Sequence, residues 1–250
     1  LAVSDSGRVR SIVPDPSSPL TLYVAFSGGG IWKTTDGGTS WVPKTESLGT
    51  LSCGSLAMDP NNSSTLYLGL GDPFDGTGIG LVKSVDGGND WSAPVYLGNS
   101  TSIQQVMVSA TDSQVVLAAT NTGLYRSTNG GSSFGAVTLS AGQPYVWSLA
   151  WTGGTGYAAT LEAAPAATTG TTDGQIWYSL DNGATWTRST GVTKTSGVGR
   201  MTVASAPSLR NTLYALAAIP LSAAATDLAD IFKSTNGGQT WTALNVTKKR

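Results

Sequence analysis

The sequence predicts an all-β protein, a β-propeller with five four-stranded antiparallel blades in 250 residues. Three observations carry that prediction. The first is a box of eight residues, hydroxyl-x-Asp/Asn-x-Gly-x-x-aromatic, that recurs five times. Its copies run Thr34 to Trp41, Ser84 to Trp91, Ser127 to Phe134, Ser179 to Trp186 and Ser234 to Trp241. The second is their spacing. Asp36, Asp86, Asn129, Asp181 and Asn236 follow one another at steps of 50, 43, 52 and 55 residues, a period that marks a repeat architecture. The third is what surrounds each box: short β-branched and aromatic runs punctuated by Gly, Pro and Asp, the signature of strands joined by tight turns.

The first repeat sets the pattern. Arg8 to Val13 alternates apolar and polar residues and ends at the turn signal Pro14-Asp15-Pro16. Leu20 to Phe26 reads as a second strand, broken by Gly28-Gly29-Gly30. Ile31 to Thr34 is a third, and Ser40 to Pro43 opens a fourth after the box turn. The second repeat aligns at an offset of 44, placing Asp59-Pro60 on Asp15-Pro16 and Thr65-Leu66-Tyr67 on Thr21-Leu22-Tyr23. The fifth aligns at 191, with Thr212-Leu213-Tyr214 on the same three positions. The third repeat (Val106 to Phe134) and the fourth (Val146 to Trp186) keep the order without the Asp-Pro turn. Four strands per unit, repeated radially, is a propeller blade. A parallel β-helix is the alternative, disfavoured because its coils are shorter. The reading is one domain over residues 1–250, with blades near 7–46, 51–97, 103–139, 145–190 and 197–247. A segment of a larger propeller stays open beside it.

The box letters suit a folding device. The Asp or Asn accepts backbone amides across the turn. The glycines supply positive φ. The aromatic residues Trp41, Trp91, Phe134, Trp186 and Trp241 open the fourth strand, where they can bury a large area.

Composition removes several classes of function. The chain has no His, which takes away the usual general base and zinc ligand, and a single Cys, so no internal disulfide forms. Charged residues make up 12% and the formal net charge is −1, leaving no basic excess for nucleic acid. No apolar run is long enough for a membrane-spanning helix. Cys53 reads as a small buried hydrophobe, and Trp32, Trp147, Trp151 and Trp177 as packing groups, with sugar stacking the functional alternative. Asn61, Asn62, Asn99 and Asn245 head Asn-x-Ser/Thr sequences, which matter only in a eukaryotic secretory setting.

Strand direction places the boxes at one end of every blade and the second-to-third connections at the other. Those connections are long in repeats two (Gly71 to Gly80), four (Leu161 to Gly174) and five (Ala218 to Ala229), and long loops on a rigid scaffold carry binding. Asp72 and Asp75, among Gly-rich turns, are compatible with Ca²⁺; no other cofactor is indicated. Asp72, Asp75, Glu162 and Asp173 are the carboxylates from which a glycosidase pair would come. Asp227 and Asp230 flank the last third strand. Arg8 and Arg10, with Arg200 in the corresponding part of repeat five, could present guanidinium groups to an anionic ligand.

The pattern Ser/Thr-x-Asp-x-Gly-x-x-Trp resembles the Asp-box, or BNR, repeat of sialidase-type propellers, xyloglucan-cleaving glycoside hydrolases, sortilin-type receptors and photosystem assembly factors. Gly7 to Val13, Gly30-Ile31-Trp32-Lys33 and the first box are most similar to large secreted bacterial BNR proteins. The resemblance covers the whole chain and implies the propeller fold. It does not select an activity, because the fold hosts enzymes, receptors and scaffolds. A sialidase would need three convergent arginines and a Phe/Tyr-Arg-Ile-Pro signature, which is absent; Arg200 aligns with Val9 rather than with Arg8 or Arg10. The xyloglucanase aspartate motifs find no match. The leading expectation is therefore an extracytoplasmic, non-catalytic module that contacts a protein or glycan partner through the face opposite the boxes. The alternative is a glycoside hydrolase using loop carboxylates.

Overall fold

The computed structural model describes residues 8–72, 78–99, 101–139, 145–162, 174–193, 198–209, 211–222 and 225–246. All regular structure among them is β, and each repeat forms one antiparallel sheet, so the fold is the five-bladed β-propeller class that the repeat predicts. Blade one holds β1 (Val9–Pro14), β2 (Leu22–Phe26), β3 (Gly30–Thr34) and β4 (Val42–Pro43). Blade two holds β5 (Cys53–Asp59), β6 (Asn62–Leu70) and β7 (Leu81–Ser84). Blade three holds β8 (Ile103–Val108), β9 (Val116–Thr120), β10 (Gly123–Ser127) and β11 (Gly135–Val137). Blade four holds β12 (Tyr145–Gly153), β13 (Gly156–Glu162), β14 (Gln175–Ser179) and β15 (Thr187–Arg188). Blade five holds β16 (Met201–Ser205), β17 (Leu213–Ser222), β18 (Ala225–Ser234) and β19 (Thr242–Ala243). In every sheet sequence neighbours pair in order.

Blade two departs from the four-strand expectation. Its fourth strand is reduced to a single bridge between Leu81 and Val95. The Lys83 amide is taken by the Ser92 hydroxyl at 3.0 Å instead of a backbone carbonyl, and Pro94 has no N–H to donate. Blade five departs in the other direction. Ala218 to Ala229, expected as a loop, is a continued hairpin in which Ala218 pairs with Leu228, Ile219 with Asp227 and Ser222 with Ala225.

The chain divides into two compact units, Leu1–Ala118 with Ser127–Phe134, and Ala119–Arg126 with Gly135–Arg250. The first has a core of Tyr23, Ala25, Ile31, Cys53, Leu56, Leu66, Leu68, Leu70 and Val82. The second is centred on Ile176, Met201, Leu213, Ala215, Phe232 and Trp241. These are the inward positions of alternating strands, and their burial supplies most of the stabilisation.

Each box turn is held by the same bonds. In blade one Thr34 Oγ1 donates to Asp36 Oδ1 at 2.7 Å and accepts the Gly38 amide at 2.9 Å, while Asp36 Oδ1 accepts the Ser40 amide at 2.9 Å. Ser84 and Asp86, Ser127 and Asn129, Ser179 and Asp181, and Ser234 and Asn236 repeat the first of these. The two residues after the Asp or Asn sit at positive φ in every box, including Asn182 at 57°. The indole of Trp41, Trp186 and Trp241 donates back to the second of those residues, while that of Trp91 reaches Lys44 O in the preceding blade at 2.7 Å.

Two further contacts recur between consecutive blades. Tyr23 Oη and Lys33 Nζ both meet the Gly87 carbonyl in the next box, at 3.1 and 3.5 Å. Tyr67 Oη and Lys83 Nζ meet the Gly130 carbonyl at 3.0 and 2.9 Å, and Arg126 Nε donates to Asn182 O at 2.8 Å. At the first strands, hydroxyls of Ser11, Ser55 and Ser148 accept the amides of Leu56, Val106 and Val203. The strand carrying each of these serines has a register shift just before it, leaving Arg10, Gly54 and Trp147 as the extra residues of β-bulges.

Candidate functional site at the ends of the blades opposite the boxes

In the first unit, the start of β1 meets the segment that follows β6. Asp72 is fully buried, and Arg8 Nη2 donates to its Oδ1 at 2.5 Å. Arg10 Nε lies 3.0 Å from Oδ2 and also donates to the Gly54 carbonyl. Arg10 is the bulged residue of β1. Asp72, a sequence candidate for catalysis and for Ca²⁺, thus lies against Arg8 and Arg10, two of the three arginines that were candidates for anion binding. Arg8 keeps 44% of its side chain in water, whereas the Asp72 side chain is sealed from it. Asp75 lies outside the described residues. No group of three or more His, Cys, Asp or Glu is arranged to hold a metal among the described residues.

In the second unit, Tyr145 and Trp147 stack with ring centroids 4.2 Å apart, and the Arg200 guanidinium lies 4.7 Å from the Trp147 centroid. Trp147 is the bulged residue of β12, near the start of that strand. Arg200 is exposed. Glu162 ends β13 opposite Tyr145; its side chain and Asp173 lie outside the described set. Gly174 N donates to Val198 O at 2.6 Å, tying the return from that connection to the segment before Arg200. Asp230, by contrast, is structural: it is buried, and its Oδ1 accepts the Ile231 and Val246 amides.

Two of the cavities among the described residues are distinctive in their lining. One of about 490 Å³ in blade one is apolar and lined by Val24, Phe26, Gly29, Trp32 and Trp41. The other, about 450 Å³, runs along β14 and the residues after β15, with Gln175, Ile176, Arg188, Thr190 and Val192 in its wall. Cys53 is excluded as a nucleophile, since burial pushes its thiol up to about 12. Sequence reasoning missed the Arg8–Asp72 pair and the Arg200–Trp147 stack. Their partners lie 64 residues apart in the first case and in different blades in the second.

The fold defines a β-propeller built from box-turn blades. No protein-family model matches the chain. It is 27% identical over 194 residues to a xyloglucanase of Hypocrea jecorina (strain QM6a), a match covering 74% of this chain and 22% of that protein. Among solved structures, an ancestral GH74 enzyme superposes with a TM-score of 0.69 at 17% identity, covering 94% of this chain and 40% of that one. The GH74 enzyme of Niastella koreensis does so with a TM-score of 0.68 at 25% identity, covering 94% and 38%. The chain therefore spans about a fifth of the xyloglucanase and about two fifths of the GH74 structures. No helix among the described residues is long and apolar enough to cross a membrane.

Proposed function

We propose that this chain is the polysaccharide-engaging propeller of a xyloglucanase-like glycoside hydrolase, acting outside the cytoplasm where such polymers lie. The observation that carries the reading is the 27% identity to a xyloglucanase across 194 residues. The second unit supplies a fitting surface. The Arg200 guanidinium over Trp147 can present N–H donors to sugar hydroxyls beside an aromatic face. This shifts the balance from the non-catalytic module favoured by the sequence toward its glycosidase alternative.

Hydrolysis needs two carboxyl groups flanking the bond, roughly 5–10 Å apart. Asp72 is a poor member of that pair, because it is sealed from solvent with both oxygens against arginines. Glu162, Asp173 and Asp75 are the better candidates. Xyloglucan in a native affinity gel, with cellulose and mannan gels beside it, tests binding; reducing-end release tests turnover. Retardation by xyloglucan that weakens in Arg200→Ala is expected, and any turnover should fall in Glu162→Gln or Asp173→Asn. Equal mobility in all gels together with no release of sugar ends would refute the proposal.

A further inference from the structure

Boxes three and five begin with the same five residues, Ser-Thr-Asn-Gly-Gly, at positions 127–131 and 234–238. Asn is a thermolabile residue, and one followed by Gly cyclises most readily, because Gly has no Cβ to shield its own amide nitrogen. We propose that Asn236 is a site of spontaneous deamidation that stays reactive in the folded protein, while Asn129, its twin in sequence, is silenced by the latch that blade two closes on box three. The reaction consumes only water. The Gly237 amide gives up its proton, and its nitrogen bonds to Asn236 Cγ. The Cγ–Nδ2 bond breaks, and ammonia leaves with that proton. Water then opens the resulting succinimide, at one carbonyl to give Asp and at the other to give an isoaspartyl linkage.

Within the turns the two asparagines are held alike. Asn129 Oδ1 accepts the Ser127 hydroxyl and the Ser133 amide, each at 2.9 Å, and its Nδ2 donates to Ser133 Oγ at 2.8 Å. Asn236 Oδ1 accepts the Ser234 hydroxyl at 2.9 Å and the Thr240 amide at 3.0 Å, and its Nδ2 donates to Thr240 Oγ1 at 2.9 Å. The nitrogen that must attack is engaged in both: Gly130 N donates to Gln114 O and Gly237 N to Asn211 O, each at 2.9 Å. Both asparagines are exposed and both following glycines are buried. Attack therefore waits on local opening of the turn, and the two turns differ in what opening breaks. In box three the Gly130 carbonyl also takes the latch donors, Tyr67 Oη at 3.0 Å and Lys83 Nζ at 2.9 Å. The cross-strand pair Tyr67–Lys83 is replaced in blade four by Ala158–Tyr178. A Cβ added at Gly238 would lie 3.3 Å from Ala158 Cβ and 3.8 Å from Tyr178 Cβ, so this pair underlies box five, which has neither the tyrosine nor the lysine of the latch. The products have opposite fates. Asp fits the box: in box four Asp181 Oδ1 accepts the Ser179 hydroxyl and the Thr185 amide while Oδ2 accepts the Thr185 hydroxyl. The isoaspartyl form runs the main chain through Cβ and Cγ and leaves its carboxylate on Cα, so the bonds from Ser234 and Thr240 are lost together.

The test incubates the 250-residue chain at mildly alkaline pH, folded and in concentrated urea, and follows each asparagine by peptide mapping and mass spectrometry, with fragmentation that separates Asp from isoaspartate. In urea the two sites should react at the same rate, because the five shared residues set it. In the folded protein Asn236 should react about tenfold faster than Asn129, the two latch donors accounting for the difference. Tyr67→Phe should speed Asn129 several-fold and leave Asn236 in the same molecules unchanged. Equal rates at the two sites in the folded protein, a faster Asn129, or no reaction at Asn236 over a period that completes it in urea would each overturn the proposal. So would equal acceleration of both sites by Tyr67→Phe, since the variant would then be acting through general loosening rather than through the latch.

Discussion

Removing the Tyr67 hydroxyl tests the blade-to-blade latch with a built-in control. Tyr67 is buried, its Oη donates to the Gly130 carbonyl at 3.0 Å, and Lys83 Nζ donates to the same oxygen at 2.9 Å while sitting 5.3 Å from the ring. Burial, with a smaller contribution from the charge of Asp59, pushes the hydroxyl up to about 12, so it stays a donor across the working pH range. Tyr67→Phe keeps the ring and leaves the carbonyl with one donor, a loss of about 1 kcal/mol. Lys83→Met removes the other donor at similar cost. The double variant orphans a carbonyl that water cannot easily reach and should exceed the sum of the singles by roughly 1 kcal/mol. Tyr214→Phe deletes the same atom from the same register position on blade five, where it has no carbonyl partner among the described residues, and should fall within about 0.3 kcal/mol of the parent. Urea unfolding midpoints at constant m-value give all four numbers. If Tyr67→Phe cost no more than Tyr214→Phe, the latch would not be a stabilising contact.

Three further outcomes follow from the same geometry. Asp36 is lowered from 3.8 to about 2, first by the Ser40 side-chain hydrogen bond and then by the Ser40 amide. Its contribution to stability is therefore present above about pH 4 and lost as pH falls through about 2; Asp36→Asn, which copies Asn129, should flatten that part of a Tm–pH curve. Asp72→Asn leaves Arg8 and Arg10 facing each other without their carboxylate. It should cost about 2–3 kcal/mol in chemical unfolding, moderated because Arg8 is half in water. Gly131→Ala, at φ 84° with the new Cβ 2.7 Å from Tyr67 Cε1, should cost at least about 2 kcal/mol by the same measurement, whereas Gly28→Ala, with open space around it, should be near neutral.

The boxes were legible because their chemistry is local. Ser127, Asn129 and Gly131 form a closed set of bonds within five residues, so spacing alone identifies the turn. The ends opposite the boxes were not, because their contacts are long-range. Nothing near Asp72 in sequence announces Arg8 and Arg10, and Glu162 reads the same whether or not it stands opposite Tyr145. Two errors came from weighing composition over pairing. Pro220 and Ser222 make Ala218 to Ala229 look like a loop, although its residues pair across a hairpin. In blade two a normal box precedes a strand that Ser92 and Pro94 prevent from laddering.

The bulges at Arg10, Gly54 and Trp147 have a consequence for how such a protein changes over generations. A bulged residue makes no regular ladder bond, so its identity is uncoupled from the pairing of its strand. The same backbone device holds a cation in one blade, a bare backbone in the second and an indole in the fourth. At Gly54 that freedom is closed, because any Cβ would run into the Ile103 carbonyl. At positions 10 and 147 it is open, so exchange of side chains there can retune what the protein recognises while the blades beneath stay as they are.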